Sequence, residues 1–381
     1  MTALDVFRFR QQLVGEYEQF TRGFTRIRAD DIQAYLEAEY RSQKYWPEPL
    51  VQINPNFKSG GTVEELVASR QLHAKCAEIF RLGKSASSAG STLPLHRHQV
   101  EAISLAASLE SYVLTTGTGS GKSLAYFIPI VDACLRAKES DATPRTRAIV
   151  IYPMNALANS QLEELKKFLG AEAAHRAVTF GRYTGQESDE ERQEMAASPP
   201  DILLTNFMML ELLLTRQNDI DKAVIRNAKG LRFLVLDELH TYRGRQGADV
   251  ALLVRRVREA LCDELICIGT SATMATDGTQ MERNAAVASV ASRLFGVTIA
   301  DRNVVTETLR RTTPEHETVQ TVSARLGEAI RAGVPLDTDF ATLSTHPMAV
   351  WVELTLGLTY EGDKPRRAKP LTLRDAAQAL H

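Results

Sequence analysis

Cysteine is scarce: Cys76, Cys134, Cys262 and Cys267 are the only four in a chain of 381 residues. So few, so scattered, exclude a disulfide framework and fit a reducing compartment, so a cytoplasmic protein is expected. Cys262 and Cys267 form the one near pair. With no second Cys/His pair close by, they read as core residues rather than as half of a metal site. An excess of charge of one sign is also missing, since 45 basic residues face 47 acidic ones. That balance says nothing about a nucleic-acid partner, because a basic patch can hide inside it. No window approaches the ~20 apolar residues of a membrane-spanning helix, so no membrane partner is expected. The opening MTALDVFRFRQQ is charged from the start and has no apolar core, unlike a signal peptide. Internal repeats are absent. Tryptophan occurs only as Trp46 and Trp351, which read as core anchors rather than base-stacking platforms. What is present is an ordinary globular composition, 44% apolar and 24% charged, which excludes disordered, coiled-coil and collagen-like chains. At ~150 residues per domain, two to three domains are expected.

Along the chain, residues 1–83 read as a helical accessory region. Leu13, Tyr17 and Phe20 recur at helical spacing, as do Ile32, Tyr35 and Leu36. Thr62 to Glu65 (TVEE) is a capping box that opens a further short helix. Trp46 to Phe57 is too rich in Pro and Asn for a regular element and reads as an ordered connector. The small, polar stretch 84–94 reads as a linker. From Leu95 the pattern changes. The β-rich runs 112–116, 148–152, 178–183, 201–205, 232–236 and 265–270 alternate with amphipathic helical stretches such as 123–137 and 156–169. Several runs are apolar on both faces, as buried parallel strands are. The expected fold class is therefore α/β, a mostly parallel doubly wound sheet spanning 95–280, with helical accessory regions before and after it. Ligands of such sheets bind at the carboxyl ends of the strands. After Thr273 the rhythm weakens. Helical periods cover 281–296, 320–332 and 347–358, KPRRAKP (364–370) reads as a basic connector, and 281–381 as a whole is expected to be a mainly helical accessory segment.

Three motifs carry chemistry. TTGTGSGKS (Thr115 to Ser123) lies between a predicted strand and a predicted helix. Gly117, Gly119 and Gly121 let successive backbone N–H groups turn inward around a phosphate, and the helix N-terminus adds its positive dipole end. Lys122 would reach the β- and γ-phosphates, and Ser123 would ligate Mg²⁺. The strict pattern asks for Gly where Thr116 stands. In FLVLDELHTYRG (Phe233 to Gly244), four apolar residues place Asp237 and Glu238 at a strand's carboxyl end. Asp237 can hold Mg²⁺, and Glu238 can orient and deprotonate a water. GTSATM (Gly269 to Met274) follows another buried strand and offers the Ser271 and Thr273 hydroxyls to the acidic pair.

In this order the three motifs resemble motifs I, II and III of superfamily 2 helicases of the DExH kind. LHRHQVEAI (Leu95 to Ile103) looks like their Q motif. YPMNALANSQ (Tyr152 to Gln161) is similar to motif Ia, and YTG (Tyr183 to Gly185) and LLTNFMML (Leu203 to Leu210) are similar to the later strand-tracking motifs of the first RecA lobe. DELHTYRG resembles the YprA and mitomycin-repair branch, some of whose relatives serve in anti-phage systems. The resemblance implies a RecA-like P-loop lobe that takes ATP and Mg²⁺ on Gln99, Thr116, Gly117, Thr118, Gly119, Ser120, Gly121, Lys122 and Ser123, with Gln99 reading the adenine edge. It implies catalytic roles for Lys122, Asp237, Glu238 and His240, with Ser123 and Asp237 as metal ligands. Ser271 and Thr273 would couple nucleotide to nucleic acid, with His240. Pro153, Asn155, Thr184, Gly185, Thr205, Asn206 and Arg243 would meet the nucleic acid, small polar groups and backbone N–H bonding phosphates without reading bases. DNA is the expected partner, with RNA second.

The chain departs from the resemblance in one respect. The 108 residues after Thr273 are too few for a second RecA lobe, and Arg310, Arg311, Arg366 and Arg367 there stand in no evident sheet context from which an arginine finger could be presented. The expectation is thus the first motor lobe of a longer or split helicase, which needs a second lobe from the same longer chain or a partner subunit. Two alternatives stay open at this point: a duplex-DNA translocase subunit of a restriction or anti-phage complex, and a non-catalytic, nucleotide-bound assembly subunit. The acid-rich 186–194 reads as a solvated helix face.

Overall fold

Apolar runs without polar alternation become central strands here because both of their faces are covered. The structure, a computed structural model, describes residues 5–24, 27–42, 48–85, 87–117, 119–170, 177–262, 264–272, 278–334 and 337–380. It divides into two compact units, Phe57–Leu309 and a second formed by Met1–Asn56 with Arg310–His381.

The first unit is built on seven strands: β1 (Tyr112–Thr115), β2 (Ala148–Tyr152), β3 (Phe180–Tyr183), β4 (Ile202–Asn206), β5 (Phe233–Leu236), β6 (Ile266–Ser271) and β7 (Val304–Thr306). They form one sheet in the order β7-β1-β6-β5-β2-β4-β3, with every pairing parallel. Alternate residues feed two cores, as the strand period of two requires. Tyr112, Leu114, Val150, Leu204, Val235 and Ile268 enter one; Val113, Ile149, Leu203, Leu234 and Cys267 enter the other. The first core is closed by α1 (Arg97–Ala107), α2 (Lys122–Ser140) and α3 (Asn155–Leu169). The second is closed by α4 (Phe207–Thr215), α5 (Asp219–Asn227), α6 (Gly244–Leu261) and α7 (Gln280–Phe295). Helices on both faces of a parallel sheet make the doubly wound α/β fold.

The unit's limits differ from the sequence reading. Residues 84–94 are not a tether: Arg81–Leu82 pairs antiparallel with Ser91–Thr92, and Leu93 and Leu95 are buried in the first core. Arg81 closes the intervening turn by donating to the carbonyls of Ala89 and Gly90, at 2.8 and 3.0 Å. Val63, Leu66, Cys76, Ile79 and Phe80 fill the same core, so 57–83 belongs with the sheet rather than with an accessory domain. At the other end the unit runs on past 280 to include α7 and β7.

The second unit is less helical than expected. It holds the helices Val6–Gly23, Asp30–Arg41, Val319–Ala332, Phe340–Thr345, Pro347–Val352 and Leu373–Leu380. It also pairs Leu50–Val51 with Leu371–Thr372 and Leu358–Glu361 with Lys364–Arg367. The basic connector is therefore a hairpin strand, and Arg366 and Arg367 do stand on a small sheet. Trp351 is buried beside Leu326 and Leu356, as an anchor should be, while Trp46 lies outside the described residues. Among the described residues no helix is long and apolar enough to cross a membrane.

Candidate functional site

β1 runs into a six-residue loop, 116–121, and α2 begins at Lys122. Gly119 and Gly121 take left-handed φ of 76° and 69°. A Cβ on Gly121 would come within 2.6 Å of Gln99 Nε2, so only glycine lets the loop approach α1. The loop is pinned from all sides. Thr116 N–H donates to Ser271 O at 3.3 Å, and the Thr116 and Ser120 hydroxyls lie 2.7 Å apart. Gln99 Nε2 donates to Gly121 O at 2.9 Å, Gly117 N–H donates to the Glu307 carboxylate at 2.9 Å, and Lys122 Nζ donates to Thr116 O at 3.3 Å. His98 Nε2 sits 2.9 Å from Ser120 O, an atom that only accepts, so Nε2 carries the proton. Burial pushes the His98 pKa down to about 4 and keeps the ring neutral. Thr118 lies outside the described residues.

These contacts revise one expectation. Gln99 accepts from His96 N–H at 2.7 Å through Oε1 and donates to Gly121 through Nε2. Both ends of its amide carry one bond each and the residue is buried, so here it ties α1 to the loop. His98 and Glu307 hold the same loop and escaped the motif reading. The signal for His98 is its place beside Gln99; Glu307 stands one residue beyond the short β7, which carries no alternation to mark it.

Two strands away, β5 ends at Leu236 and delivers Asp237 and Glu238. Thr270 on β6 lies between them: its hydroxyl accepts from Glu238 N–H at 3.1 Å and donates to Asp237 Oδ1. Burial raises the Asp237 carboxyl above its ordinary value, the Thr270 hydroxyl opposes this, the Glu238 charge adds to it, and Lys122 opposes it in turn. Lys122 and Asp237 therefore feel each other across the site. Glu238 has φ of +52°, one of three non-glycine residues with positive φ among the described residues. Its Oε2 is buried without a hydrogen bond and lies 3.3 Å from His240 Nδ1. That same Nδ1 is 3.1 Å from the Ser271 hydroxyl. Ser271 thus touches His240 rather than the acids, and Thr270, not picked out from the sequence, bonds the Asp237 carboxylate and the Glu238 main chain instead. Thr273 lies outside the described residues. A glycine cradle, a lysine and an orphaned buried carboxylate oxygen on one edge of the sheet fit a Mg²⁺–nucleotide: Lys122, Ser123 and Asp237 are the groups that could hold it.

The strand-tracking candidates meet at the carboxyl ends of β2, β3 and β4. Asn206 Nδ2 donates to Asn155 Oδ1 at 2.7 Å and to Thr184 O at 3.3 Å, while Asn206 Oδ1 caps α4 at Met209 N–H, 2.7 Å away. The hydroxyl of Thr205 is buried and donates to Tyr183 O at 2.6 Å, so it is not offered to a phosphate. The Thr184 and Gly185 amides and the Thr184 hydroxyl all bond Glu187. Glu187 is buried, which corrects the reading of 186–194 as a uniformly solvated face. Pro153 is half-buried before α3, and Arg243 is exposed just ahead of α6.

A parallel doubly wound sheet with a glycine loop between its first strand and helix, and an Asp-Glu pair at a neighbouring strand end, defines a RecA-like P-loop lobe. Residues 96–281 match the family model of the DEAD/DEAH box helicases, and this segment belongs to that family, within superfamily 2. The chain is 24% identical to the Druantia protein DruE of Escherichia coli over 375 aligned residues, covering 65% of this chain and 20% of DruE. It is 33% identical to the ATP-dependent helicase YprA of Bacillus subtilis over 185 residues, covering 48% of this chain and 23% of YprA. It thus spans about a fifth to a quarter of the length of these relatives. Among solved structures, the DEAD-box helicase Mss116 bound to single-stranded RNA and UDP-BeF superposes with a TM-score of 0.52 at 16% identity, covering 74% of this chain and 54% of that one; the likeness shows the fold.

Proposed function

We propose that the lobe is the ATP-binding first motor lobe of a DExH DNA helicase or translocase that couples ATP hydrolysis to strand tracking, in DNA repair or phage defence. The observation that carries this reading is Glu238: a carboxylate in a strained backbone position, with one oxygen buried and unbonded, at the strand end beside the phosphate loop. A carboxylate left so is poised to accept a proton from water. Thr270 holds the Asp237 carboxylate and the Glu238 main chain, and Lys122 supplies positive charge to the β- and γ-phosphates. Ser123 and Asp237 would hold Mg²⁺, which when bound neutralises charge developing on the phosphates. His240 touches both Glu238 and Ser271, so a shift at the acid can pass along β6; this supports His240, Ser271 and Thr273 as the coupling group. Asn155 and Asn206, half-buried and bonded to each other, and the exposed Arg243 are the side chains offered for strand tracking. A second RecA lobe, from a longer chain or a partner, would supply the arginine that completes turnover.

The test is Glu238→Gln in the complete motor. It should bind ATP as the parent does and lose at least ~10²-fold in hydrolysis, the scale of a general base. An active Glu238→Gln motor would sink the assignment.

A further inference from the structure

Glu187 has an environment that strand tracking alone does not explain. Its Oε2 accepts three consecutive main-chain N–H groups, from Thr184 at 2.7 Å, Gly185 at 2.8 Å and Gln186 at 3.1 Å. Its Oε1 accepts from Arg182 Nε at 2.7 Å and from the Thr184 hydroxyl at 2.9 Å. Arg182 reaches on to Asn159 Oδ1. Gly185, at φ of +86°, turns the chain so that the three amides converge. The residue is 7% exposed. Burial alone would raise its carboxyl, but the Thr184 amide and Arg182 outweigh burial and hold it below the ordinary carboxylate value.

Successive amides aimed at one oxygen are the arrangement by which backbone binds a phosphate oxyanion. Here the chain's own carboxylate fills it, and the nearest guanidinium is bonded to the same group. Building on the reading of this lobe as a strand-tracking motor, we infer that Glu187 is a specificity-determining residue that withholds the 184–186 amides and Arg182 from nucleic-acid phosphates, and so keeps the lobe's grip on a strand weak. The physical advantage is exchange. When a phosphate leaves the loop, Glu187 takes over the donors, so buried N–H groups are never left unbonded, a state that would otherwise stall release. A permanent anion at this point also repels the backbone of the strand.

The experiment measures binding of a fluorescein-labelled oligothymidylate by anisotropy across a series of salt concentrations, for the parent chain, Glu187→Ala and Glu187→Gln. Mg–ATP binding and thermal melting are followed on the same preparations. Glu187→Ala should bind about tenfold tighter at low salt, the lower end of what a charge-assisted hydrogen bond contributes. Its slope of log K against log salt should steepen by ~0.7 for each phosphate newly engaged on a single strand. Glu187→Gln keeps one acceptor for the loop amides but loses the charge and the acceptor for Arg182, so it should tighten binding by less; it also decides the matter if the alanine variant melts early. Equal or weaker binding with an unchanged slope in both variants, or no detectable binding by any of the three, overturns the role of Glu187. If Mg–ATP binding persists in that outcome, only this inference falls; if the parent binds no Mg–ATP, the reading of the lobe falls with it.

Discussion

The same sheet holds a buried acid at its amino end and two half-buried ones beside the phosphate loop, and it treats them differently. At the amino ends of the strands, Asp201 is 1% exposed and fully met: Lys138 at 2.5 Å, Arg147 at 2.7 Å, and the Thr179 amide and hydroxyl at 2.8 and 3.0 Å. At the carboxyl ends, Asp237 has the hydroxyl of Thr270 and the distant charge of Lys122. Glu238 keeps a buried oxygen with no hydrogen bond, with His240 Nδ1 3.3 Å away. A buried charge costs several kcal/mol unless paired and bonded. The first end therefore holds the fold together. The second leaves carboxylate polarity with few partners, free to engage a ligand, which is the condition of a site.

The largest expected effect that could break this contrast is at Asp201. Asp201→Ala strands two cations against the core and should destabilise the lobe by about 3–5 kcal/mol. A loss below about 1 kcal/mol in denaturant melts would mean the amino-end cluster is not structural. Glu238→Gln, measured in the same melts, should fall within about 1 kcal/mol of the parent on either side, because the removed charge had no full set of partners. A destabilisation as large as that of Asp201→Ala would erase the difference between the ends. Gln99→Ala sharpens the account of the loop. Loss of its bonds to Gly121 and His96 should weaken ATP and GTP binding in equal proportion, by up to about 30-fold at roughly 1 kcal/mol per bond. A loss confined to ATP would restore the base-reading role. The smallest effect is at the thiols. Burial pushes Cys76 up to about 12 and Cys267 to about 11, and Cys134 higher still. Since the thiolate is the reactive form, a thiol reagent at neutral pH should titrate Cys262 alone in the native chain. A second fast-reacting thiol would show that the core opens.

Six of the seven central strands were legible as β-rich runs, several of them apolar on both faces; AIVIY begins and ends where its run does. β7 was not, since Val-Val-Thr is three residues long and becomes a strand only by pairing with β1. The segment 84–94 misled for a related reason: its small polar residues describe the turn, while Leu93 and Leu95, which anchor it, are too few to show a period. In the site, residues that motifs name by spacing were readable, and Lys122, Asp237, Glu238 and His240 do converge. Residues that act through geometry were not. Nothing in GTSAT distinguishes Thr270, which bonds the Asp237 carboxylate and the Glu238 amide, from the Ser271 beside it. Glu187 looked solvated in an acidic run because only the turn at Gly185 reveals that the chain folds its amides over that side chain.

The central claim is that residues 116–123 form a working phosphate cradle whose charge comes from Lys122. Titration calorimetry of the chain with Mg–ATP, beside Lys122→Ala, tests it most directly. The account predicts measurable binding by the parent and none by the variant, with the two proteins melting alike. Unchanged affinity in Lys122→Ala would contradict it.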